Sequence, residues 1–258
     1  MSLNRAIRDW RGMRVWIVGA SSGIGAGLAS ALLARGARVA VSARRSAELE
    51  RLAAPHGSQA MVLPLDVTDD AAPGPALQQV VSAWGGVDLV VLCSGSHQPV
   101  RAWELESAAA RRLLDVNVNG VINCLPPVIG RLLQQGSGGV AVVSSVAGYG
   151  GLPTALVYGA SKAALINLAE TLYLDLAPRG IGVYVINPGF VKTPLTDRNT
   201  FAMPALISIE AAAEAIISGF SRGDFEIHFP KRFTLWLKLL RLLPYRWYFA
   251  LVRKGTGL

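Results

Sequence analysis

Short apolar runs recur along the chain, separated by longer stretches in which apolar residues follow helical spacing. The runs are continuously apolar and do not alternate with polar residues, as strands covered on both faces require. Strands that alternate with helices in this way predict an α/β fold, with a parallel sheet and helices on both faces. The runs are Arg14–Val18, Val39–Val41, Met61–Leu63, Leu89–Leu92, Val140–Val143 and Val183–Ile186.

Length and composition favour one domain. The chain has 258 residues, 52% of them hydrophobic, which is enough for one large core. No internal repeat or low-complexity linker interrupts the pattern. We therefore predict a single domain over residues 1–230, followed by a basic, apolar C-terminal extension, residues 231–258, that contains a helix and is not an independent domain.

A glycine-rich turn follows the first predicted strand. The sequence Gly19-Ala20-Ser21-Ser22-Gly23-Ile24-Gly25 leads into an apolar helical pattern from Ala26 to Leu33. Glycines let the backbone approach a pyrophosphate closely, and the helix N-terminus offers free N–H groups and the positive end of the dipole. The turn predicts a dinucleotide site, and the alternative is a tight turn that binds nothing.

Tyr158 and Lys162 are spaced for proton transfer. If the stretch from Tyr158 is helical, positions i and i+4 share one face, and the Lys162 ammonium favours the ionised phenol. We expect this to lower the tyrosine pKa from about 10 toward the range of a working acid or base. Ser145, thirteen residues earlier, would hydrogen-bond a carbonyl or hydroxyl beside the phenol. Alone, a Tyr-x-x-x-Lys pair is a weak signal.

Together these motifs resemble the short-chain dehydrogenase/reductase family. The G-x-x-x-G-x-G turn, Asn117, Ser145 and the Tyr158–Lys162 pair occur in the family's order over about residues 12 to 230. Further matches are Asp66-Val67 and Asn187-Pro188-Gly189 followed by Thr193. The resemblance implies a Rossmann-type, doubly wound sheet in a dinucleotide-binding catalytic domain, and an NAD(P)-dependent enzyme that forms homodimers or homotetramers.

The resemblance also assigns site residues. Tyr158 would exchange a proton with the substrate oxygen, Lys162 would lower its pKa and bind the nicotinamide ribose, Ser145 would polarise the substrate, and Asn117 would hold a water. Family spacing selects Asn117 over Asn119 and Ser145 over Ser144. The residues implied to bind the cofactor are Gly19, Ser21, Ser22, Gly23, Ile24, Gly25, Arg44, Asp66, Val67, Gly95, Tyr158, Lys162, Pro188, Gly189, Val191 and Thr193.

The end of the second strand bears on cofactor choice. An acidic residue here pairs with the ribose hydroxyls of NAD, whereas an arginine accommodates the 2′-phosphate of NADP. This chain has Ala43 where relatives that use NAD carry Asp, and Arg44 where relatives that use NADP often carry Arg. We therefore predict NADP(H) in preference to NAD(H). The alternative is that Arg44 and Arg45 are merely solvated.

Cysteines and histidines add no second chemistry. Cys93 stands where many relatives have an asparagine, and a cysteine that ends an apolar strand is more often inert core than a reactive thiol. With Cys124 as the other cysteine and three scattered histidines, we predict neither a disulfide nor a metal site. His97, with Gln98, would line the substrate pocket or be solvated.

The C-terminal segment is unusually basic. From Lys231 to Leu258 there are seven basic residues and no acidic ones, so the net charge of +8 leaves only +1 for the rest. Such local basicity argues against nucleic acid as a partner. On a helix, Thr234, Lys238 and Arg241 form a narrow polar stripe, and apolar residues occupy the remainder. This pattern favours membrane-surface contact through residues 231–250. The alternative is packing on the substrate entrance or another subunit.

Apolar residues in the segment Thr193 to Ile209 indicate an apolar substrate. The residues are Leu195, Phe201, Met203, Leu206 and Ile207, together with Leu152. We predict an oxidoreductase that interconverts a carbonyl and an alcohol on a lipid-like substrate. The alternatives are a soluble ketoreductase for a small polar substrate and a non-catalytic NADP(H) sensor. Because Met1 to Trp10 lacks a signal-peptide core, we expect a cytoplasmic protein, peripheral at the membrane.

Overall fold

A seven-stranded parallel sheet forms the centre of the computed structural model, which describes residues 2–198 and 203–256. Across the sheet the strands lie in the order β3–β2–β1–β4–β5–β6–β7, and all neighbouring pairs are parallel. Each predicted apolar run overlaps a strand. The strands are β1 (Arg14–Val18), β2 (Arg38–Ser42), β3 (Ala60–Val62), β4 (Leu89–Leu92), β5 (Gly139–Val143), β6 (Gly182–Pro188) and β7 (Glu226–Phe229).

Helices cover both faces of the sheet, as the sequence predicted. The first and seventh helices pack on one face, and the third, fifth and sixth on the other. A π-helical turn, Asp115–Asn119, joins the fourth helix to the fifth. The helices are α1 (Gly23–Leu33), α2 (Ser46–Ala53), α3 (Pro73–Trp84), α4 (Ser107–Leu114), α5 (Gly120–Gln135), α6 (Leu156–Leu176), α7 (Ile209–Arg222), α8 (Lys231–Arg241) and α9 (Tyr245–Thr256).

Two apolar layers hold the helices to the sheet. Leu28 and Phe220 are buried on one face, and Val128 and Leu165 on the other. Each such side chain contributes about 1.5–3 kcal/mol relative to an exposed one. The layers make the sheet a rigid platform for the loops at its carboxyl ends.

The longest apolar helical stretch lies in this core. Ser107–Gln135 is long and apolar enough to cross a membrane by length and composition, with a mean hydropathy of 1.2. Its residues Val121, Cys124 and Val128 are nevertheless buried against the sheet, as in the core helix of a globular fold. Length and composition alone are therefore weak evidence for a span.

The C-terminal part departs from the sequence-based expectation in two ways. No strand was predicted for residues 226–229, because Glu226 and His228 alternate with apolar neighbours there, whereas the structure adds β7 beside β6. The predicted C-terminal helix is present as α8, and the structure adds a second helix, α9, after it. The break falls at Pro244, which cannot supply a helical backbone N–H.

Candidate active site

A cleft of about 550 Å³ opens at the carboxyl ends of the strands. The strand order reverses between β1 and β4, and an open α/β sheet forms its ligand crevice at such a point. Apart from Asn117, the structure brings every predicted site residue to this cleft. They are Gly19, Ser21, Ser22, Gly23, Ile24, Gly25, Arg44, Asp66, Val67, Gly95, Ser145, Tyr158, Lys162, Pro188, Gly189, Val191 and Thr193.

The glycine-rich turn is shaped as a cradle that side chains would fill. Gly19 has φ of +97°, and a Cβ on it would lie 2.6 Å from the backbone nitrogen of Ser94. A Cβ on Gly25 would lie 2.2 Å from the carbonyl oxygen of Gly19. The side chain of Ser22, the N-cap residue of α1, makes no capping hydrogen bond, so it leaves the first N–H groups of the helix open to an anion. The turn therefore fits the pyrophosphate of a dinucleotide.

Tyr158 and Lys162 lie on the first turns of α6, as the predicted helix requires. The Lys162 Nζ is 5.8 Å from the centre of the Tyr158 ring and donates a hydrogen bond of 2.9 Å to the Val143 carbonyl. Lys162 is only 4% exposed, and this burial lowers its pKa to about 8. The ammonium is thus close to losing its proton near neutral pH.

The predicted pKa of Tyr158 is wrong in direction. Burial raises the pKa of the phenol above its usual value, and a hydrogen bond with Ser145 offsets this only in part. The physical reason is that a phenolate loses hydration in the cleft wall, while the Lys162 ammonium is engaged with Val143. In this arrangement Tyr158 is held as a protonated phenol, the form that donates a proton.

The two neighbouring serines have different partners. The Ser144 hydroxyl donates to the carbonyl of Lys162 at 2.7 Å and so fixes α6 against the end of β5. The Ser145 hydroxyl accepts from the backbone of Ala147, donates to the carbonyl of Pro188 at 3.4 Å, and contacts Tyr158. Of the two serines, Ser145 is therefore the one that lies beside the phenol.

Asn117 lies behind the cleft wall in the π-helical turn and is fully buried. Its side chain accepts from the Ser96 backbone N–H at 2.7 Å and donates to the Ser96 carbonyl at 2.9 Å and to Ser161 at 3.0 Å. A Cβ on Gly95 would lie 3.6 Å from the Lys162 Nζ and 3.7 Å from the Asn117 Oδ1. Both polar atoms thus face the same glycine. Asn119, the alternative, bonds Asp115 instead.

Arg45 is a cleft residue that sequence reasoning left out of the site. Its guanidinium donates to the hydroxyls of Ser21 and Ser22 at 2.9 and 2.8 Å, and it lines the cleft beside Arg44. Its position directly after Arg44, after the end of β2, was the feature of the sequence that could have identified it. Asp66 faces the same region, and hydrogen bonds from the backbone and side chain of Thr68 lower the pKa of its carboxyl.

Thr196, a second residue that sequence reasoning left out of the site, organises the loop after β6 through its hydrogen bonds. The Thr196 hydroxyl donates to the Val191 carbonyl at 2.7 Å and accepts from the Thr193 backbone N–H at 3.0 Å. Thr196 also lines the cleft. Nothing in the loop's composition distinguished this threonine, because its role depends on the turn that the chain makes.

The predicted apolar substrate residues separate into different places. Leu195 lines the cleft, whereas Ile207 packs against the core and Leu152 lies against α8 and α9. Leu206 is 42% exposed, Met203 follows the undescribed segment, and Phe201 lies outside the described residues.

The His97 ring packs edge-on against the Tyr158 ring, with the ring centres 4.5 Å apart. Burial raises the pKa of the Cys93 thiol to about 11, which agrees with an inert cysteine.

Comparison with known proteins places this site in one family. A family model described as short chain dehydrogenase matches residues 13–203. An uncharacterised oxidoreductase of Myxococcus xanthus (strain DK1622) is 37% identical over 231 residues, which cover 88% of this chain and 91% of the relative.

Two solved structures are similar to this protein over most of its length. A short-chain dehydrogenase from Streptomyces avermitilis superposes with a TM-score of 0.80 at 25% identity, covering 95% of this chain and 98% of its own. A 3-ketoacyl-(acyl-carrier-protein) reductase from Brucella melitensis, complexed with NADH, has a TM-score of 0.78 at 27% identity, covering 85% and 97%. The protein therefore belongs to the short-chain dehydrogenase/reductase family and is an oxidoreductase that uses a nicotinamide cofactor.

Proposed function

We propose that the protein is an NADP(H)-dependent oxidoreductase that interconverts a carbonyl and an alcohol on an apolar or lipid-like substrate. The observation that carries this proposal is the arrangement of Ser145, Tyr158 and Lys162 on the wall of the cleft that also contains the Gly19–Gly25 turn. Proton-transfer groups and a dinucleotide cradle thereby face one space.

The chemistry follows from the protonation states of these side chains. When bound, the nicotinamide supplies the hydride that reaches the substrate carbon, or accepts it in the reverse direction. In reduction, Ser145 orients the carbonyl oxygen and Tyr158 gives it a proton, leaving a phenolate. Lys162 stabilises that phenolate through its charge. Asn117, near Lys162, supports the path by which a proton returns from solvent.

The proposed preference for NADP(H) rests on the cations after β2. Arg44 and Arg45 line the cleft and Ala43 offers no carboxylate, so an additional phosphate would meet positive charge there. The hydroxyls of Ser21 and Ser22, which now accept from Arg45, supply further hydrogen-bonding groups. A planar guanidinium is well suited to bind a phosphate with two hydrogen bonds.

The proposed apolar substrate rests on the surroundings of the cleft. Leu195 lines it, and exposed Leu206 follows on the same loop. Across the loop after β6, the rings of Phe190 and Phe233 lie 5.6 Å apart, and Phe233 belongs to α8. We further propose a cytoplasmic homodimer or homotetramer, with residues 231–250 against a membrane surface.

The test is oxidation of NADPH and NADH by the purified protein with ketones and aldehydes of graded chain length. We expect turnover with NADPH to rise with chain length and to fall by about 10²–10⁴-fold in Tyr158→Phe. Tyr173→Phe is the matched control, because Tyr173 lies on the same helix but its hydroxyl donates to the Leu3 carbonyl, away from the cleft.

Each other outcome has a defined meaning. Equal turnover of short polar ketones would overturn the lipid-like substrate and favour a soluble ketoreductase whose tail is an oligomer contact. NADPH binding without turnover of any carbonyl would favour the sensor. Failure to bind either nucleotide would remove the assignment of the Gly19–Gly25 turn and the function with it.

A further inference from the structure

Thr234 and Lys238, two polar residues of α8, face the protein. Thr234 is fully buried, with its Oγ1 2.5 Å from the Nδ1 of His228 on β7. Lys238 forms an ion pair with Glu226, also on β7, and lies 5.5 Å from the centre of the Tyr149 ring. Two of the three residues of the polar stripe, Thr234 and Lys238, therefore bind groups of the protein itself, whereas Arg241 is exposed. An amphipathic helix on a water-soluble surface normally has the opposite orientation.

The outward side of both helices is apolar and aromatic. Tyr248 of α9 is buried and donates to the Gly151 carbonyl at 2.8 Å, which fixes the inner side of that helix. We term the outer face the following exposed residues: Leu235, Trp236 and Leu239 of α8 and Leu242 directly after it, exposed by 55%, 65%, 53% and 81%, and Trp247 and Leu251 of α9, exposed by 62% and 44%. A soluble monomer rarely exposes so many large apolar residues together.

The helices that carry the outer face also carry cationic side chains and no anionic ones. Arg232, Arg246, Arg253 and Lys254 are exposed on the same two helices, and no aspartate or glutamate occurs between Lys231 and Thr256. Apolar and tryptophan side chains mixed with cations are typical of helices that lie in the headgroup region of a bilayer. Each exposed Lys or Arg adds attraction to anionic lipid within a Debye length.

A second copy of the chain fits this surface less well. A two-fold contact brings the same patch of both subunits together, so the cations of one copy would meet those of the other. With no acidic residue on either helix to compensate, like charges would oppose such a contact. An anionic bilayer is complementary to both the charge and the apolar area.

We propose that the outer face of α8 and α9 docks on the surface of an anionic lipid bilayer, with the helices lying in the headgroup plane. This deepens, and rests on, the membrane contact included in the proposed function. It also orients the enzyme, because α8 begins at the carboxyl end of β7 and Phe233 contacts the loop beside the cleft. The docked protein thus has its cleft close to the lipid.

Co-sedimentation of the full-length protein with vesicles tests the proposal. We expect binding to vesicles that contain phosphatidylglycerol and at least tenfold weaker binding to pure phosphatidylcholine. The double substitution Trp236→Glu with Leu239→Glu should abolish binding, and the set Arg232→Glu, Arg246→Glu and Lys254→Glu should remove the preference for anionic lipid. All five positions are exposed, so the fold should tolerate these changes.

Matched controls come from elsewhere on the surface. Trp103→Glu replaces a tryptophan that is 80% exposed on the loop before α4, and Arg111→Glu with Arg112→Glu reverses exposed cations of α4. Both should bind vesicles as the wild type does. NADPH oxidation in vesicle-free buffer reports the proposed function separately, and the outer-face variants should retain it.

Three results would overturn the docking proposal. The first is absence of binding to either vesicle. The second is binding that the outer-face variants do not change. The third combines two observations: the wild type does not bind vesicles, and the variant with Trp236→Glu and Leu239→Glu sediments as a smaller oligomer than the wild type. Together they would show that a second copy of the chain covers the outer face.

Discussion

At the residue scale, burial decides the chemistry of Tyr158 and Lys162. It raises the pKa of the phenol and lowers that of the ammonium to about 8, so the pair starts as a protonated phenol beside a cation that is easily neutralised. Spacing along a helix predicted that the two groups are neighbours. The spacing did not predict whether loss of hydration or the lysine charge dominates the pKa of Tyr158, because that balance depends on the groups that surround the two side chains.

The low pKa of Lys162 predicts a pH profile. The ammonium is present below its pKa of about 8 and is lost above it, so kcat/KM for NADPH, which reports groups of the free enzyme, should fall as pH rises through about 8. Lys162→Arg keeps its charge at every pH used and should lose this alkaline limb, whatever its overall rate. An unchanged limb in that variant would assign it to another group.

Arg44 and Arg45 predict cofactor selectivity. Loss of a charged hydrogen bond to a phosphate costs about 1.5–3 kcal/mol, so Arg44→Ala should raise KM for NADPH by about 10- to 100-fold and leave KM for NADH nearly unchanged. Arg51→Ala is the control, because Arg51 pairs with Glu48 on α2 outside the cleft. Equal effects on both nucleotides would argue against recognition of the 2′-phosphate.

At the element scale, Glu226 joins three parts of the fold to β7. Its carboxylate accepts from Tyr149 at 2.5 Å, from Asn187 at 2.8 Å and from Lys238 of α8. Burial would raise the pKa of this carboxyl, but these donors lower it overall. Because Asn187 precedes Pro188 and Tyr149 follows Ser145 closely, the cluster connects the C-terminal helices to both sides of the candidate site.

Glu226→Gln should therefore destabilise the protein by about 1–3 kcal/mol, because it leaves the Lys238 ammonium without its charged partner. Since folding depresses the pKa of Glu226, the stabilisation is fully present above the unfolded value of about 4.3 and is lost progressively as pH falls from there through the lower pKa of the folded state. Urea unfolding at pH 7 and pH 3 measures both effects.

Glu214→Gln is the control for this measurement. Its carboxylate, 59% exposed, pairs with Arg35 on the surface and should contribute at most about 1 kcal/mol. Equal losses in the two variants at pH 7, or a loss in Glu226→Gln that is as large at pH 3 as at pH 7, would show that the cluster is not a charge-dependent connection.

At the scale of the whole molecule, charge and apolar area are concentrated at one end. Seven of the basic residues lie in the last 28 positions, and α8 borders the loops at the carboxyl ends of β5 and β6, where the cleft opens. An enzyme with this asymmetry approaches an anionic surface in one orientation. Substrate dissolved in that surface would then lie near the cleft.

This asymmetry predicts how turnover depends on the lipid. A long-chain carbonyl in phosphatidylglycerol vesicles should be reduced several-fold faster than in phosphatidylcholine vesicles at low ionic strength. About 1 M salt shortens the Debye length to about 3 Å and should remove most of the difference. A water-soluble ketone assayed beside the same vesicles is the control. An equal rate in both lipids at every salt concentration would contradict this prediction.

The sequence by itself determined the architecture and much of the candidate site. Continuous apolar runs located six strands, because a strand buried on both faces admits few polar residues. The glycine-rich turn and the spacing of Tyr158 and Lys162 indicated a site, because local backbone geometry and helix periodicity fix those relations, and the family resemblance added Ser145. These features depend on neighbours within a few residues or on one repeated pattern.

Only the tertiary structure decided what depends on distant partners. β7 was not recognised because Glu226 and His228 find their partners in α8, after a chain reversal, and the orientation of α8 follows from the same contacts. Arg45, Thr196 and the raised pKa of Tyr158 likewise depend on groups brought together by folding. The sequence showed that the C-terminal segment is basic and apolar, but packing against β7 determined which side of α8 faces outward.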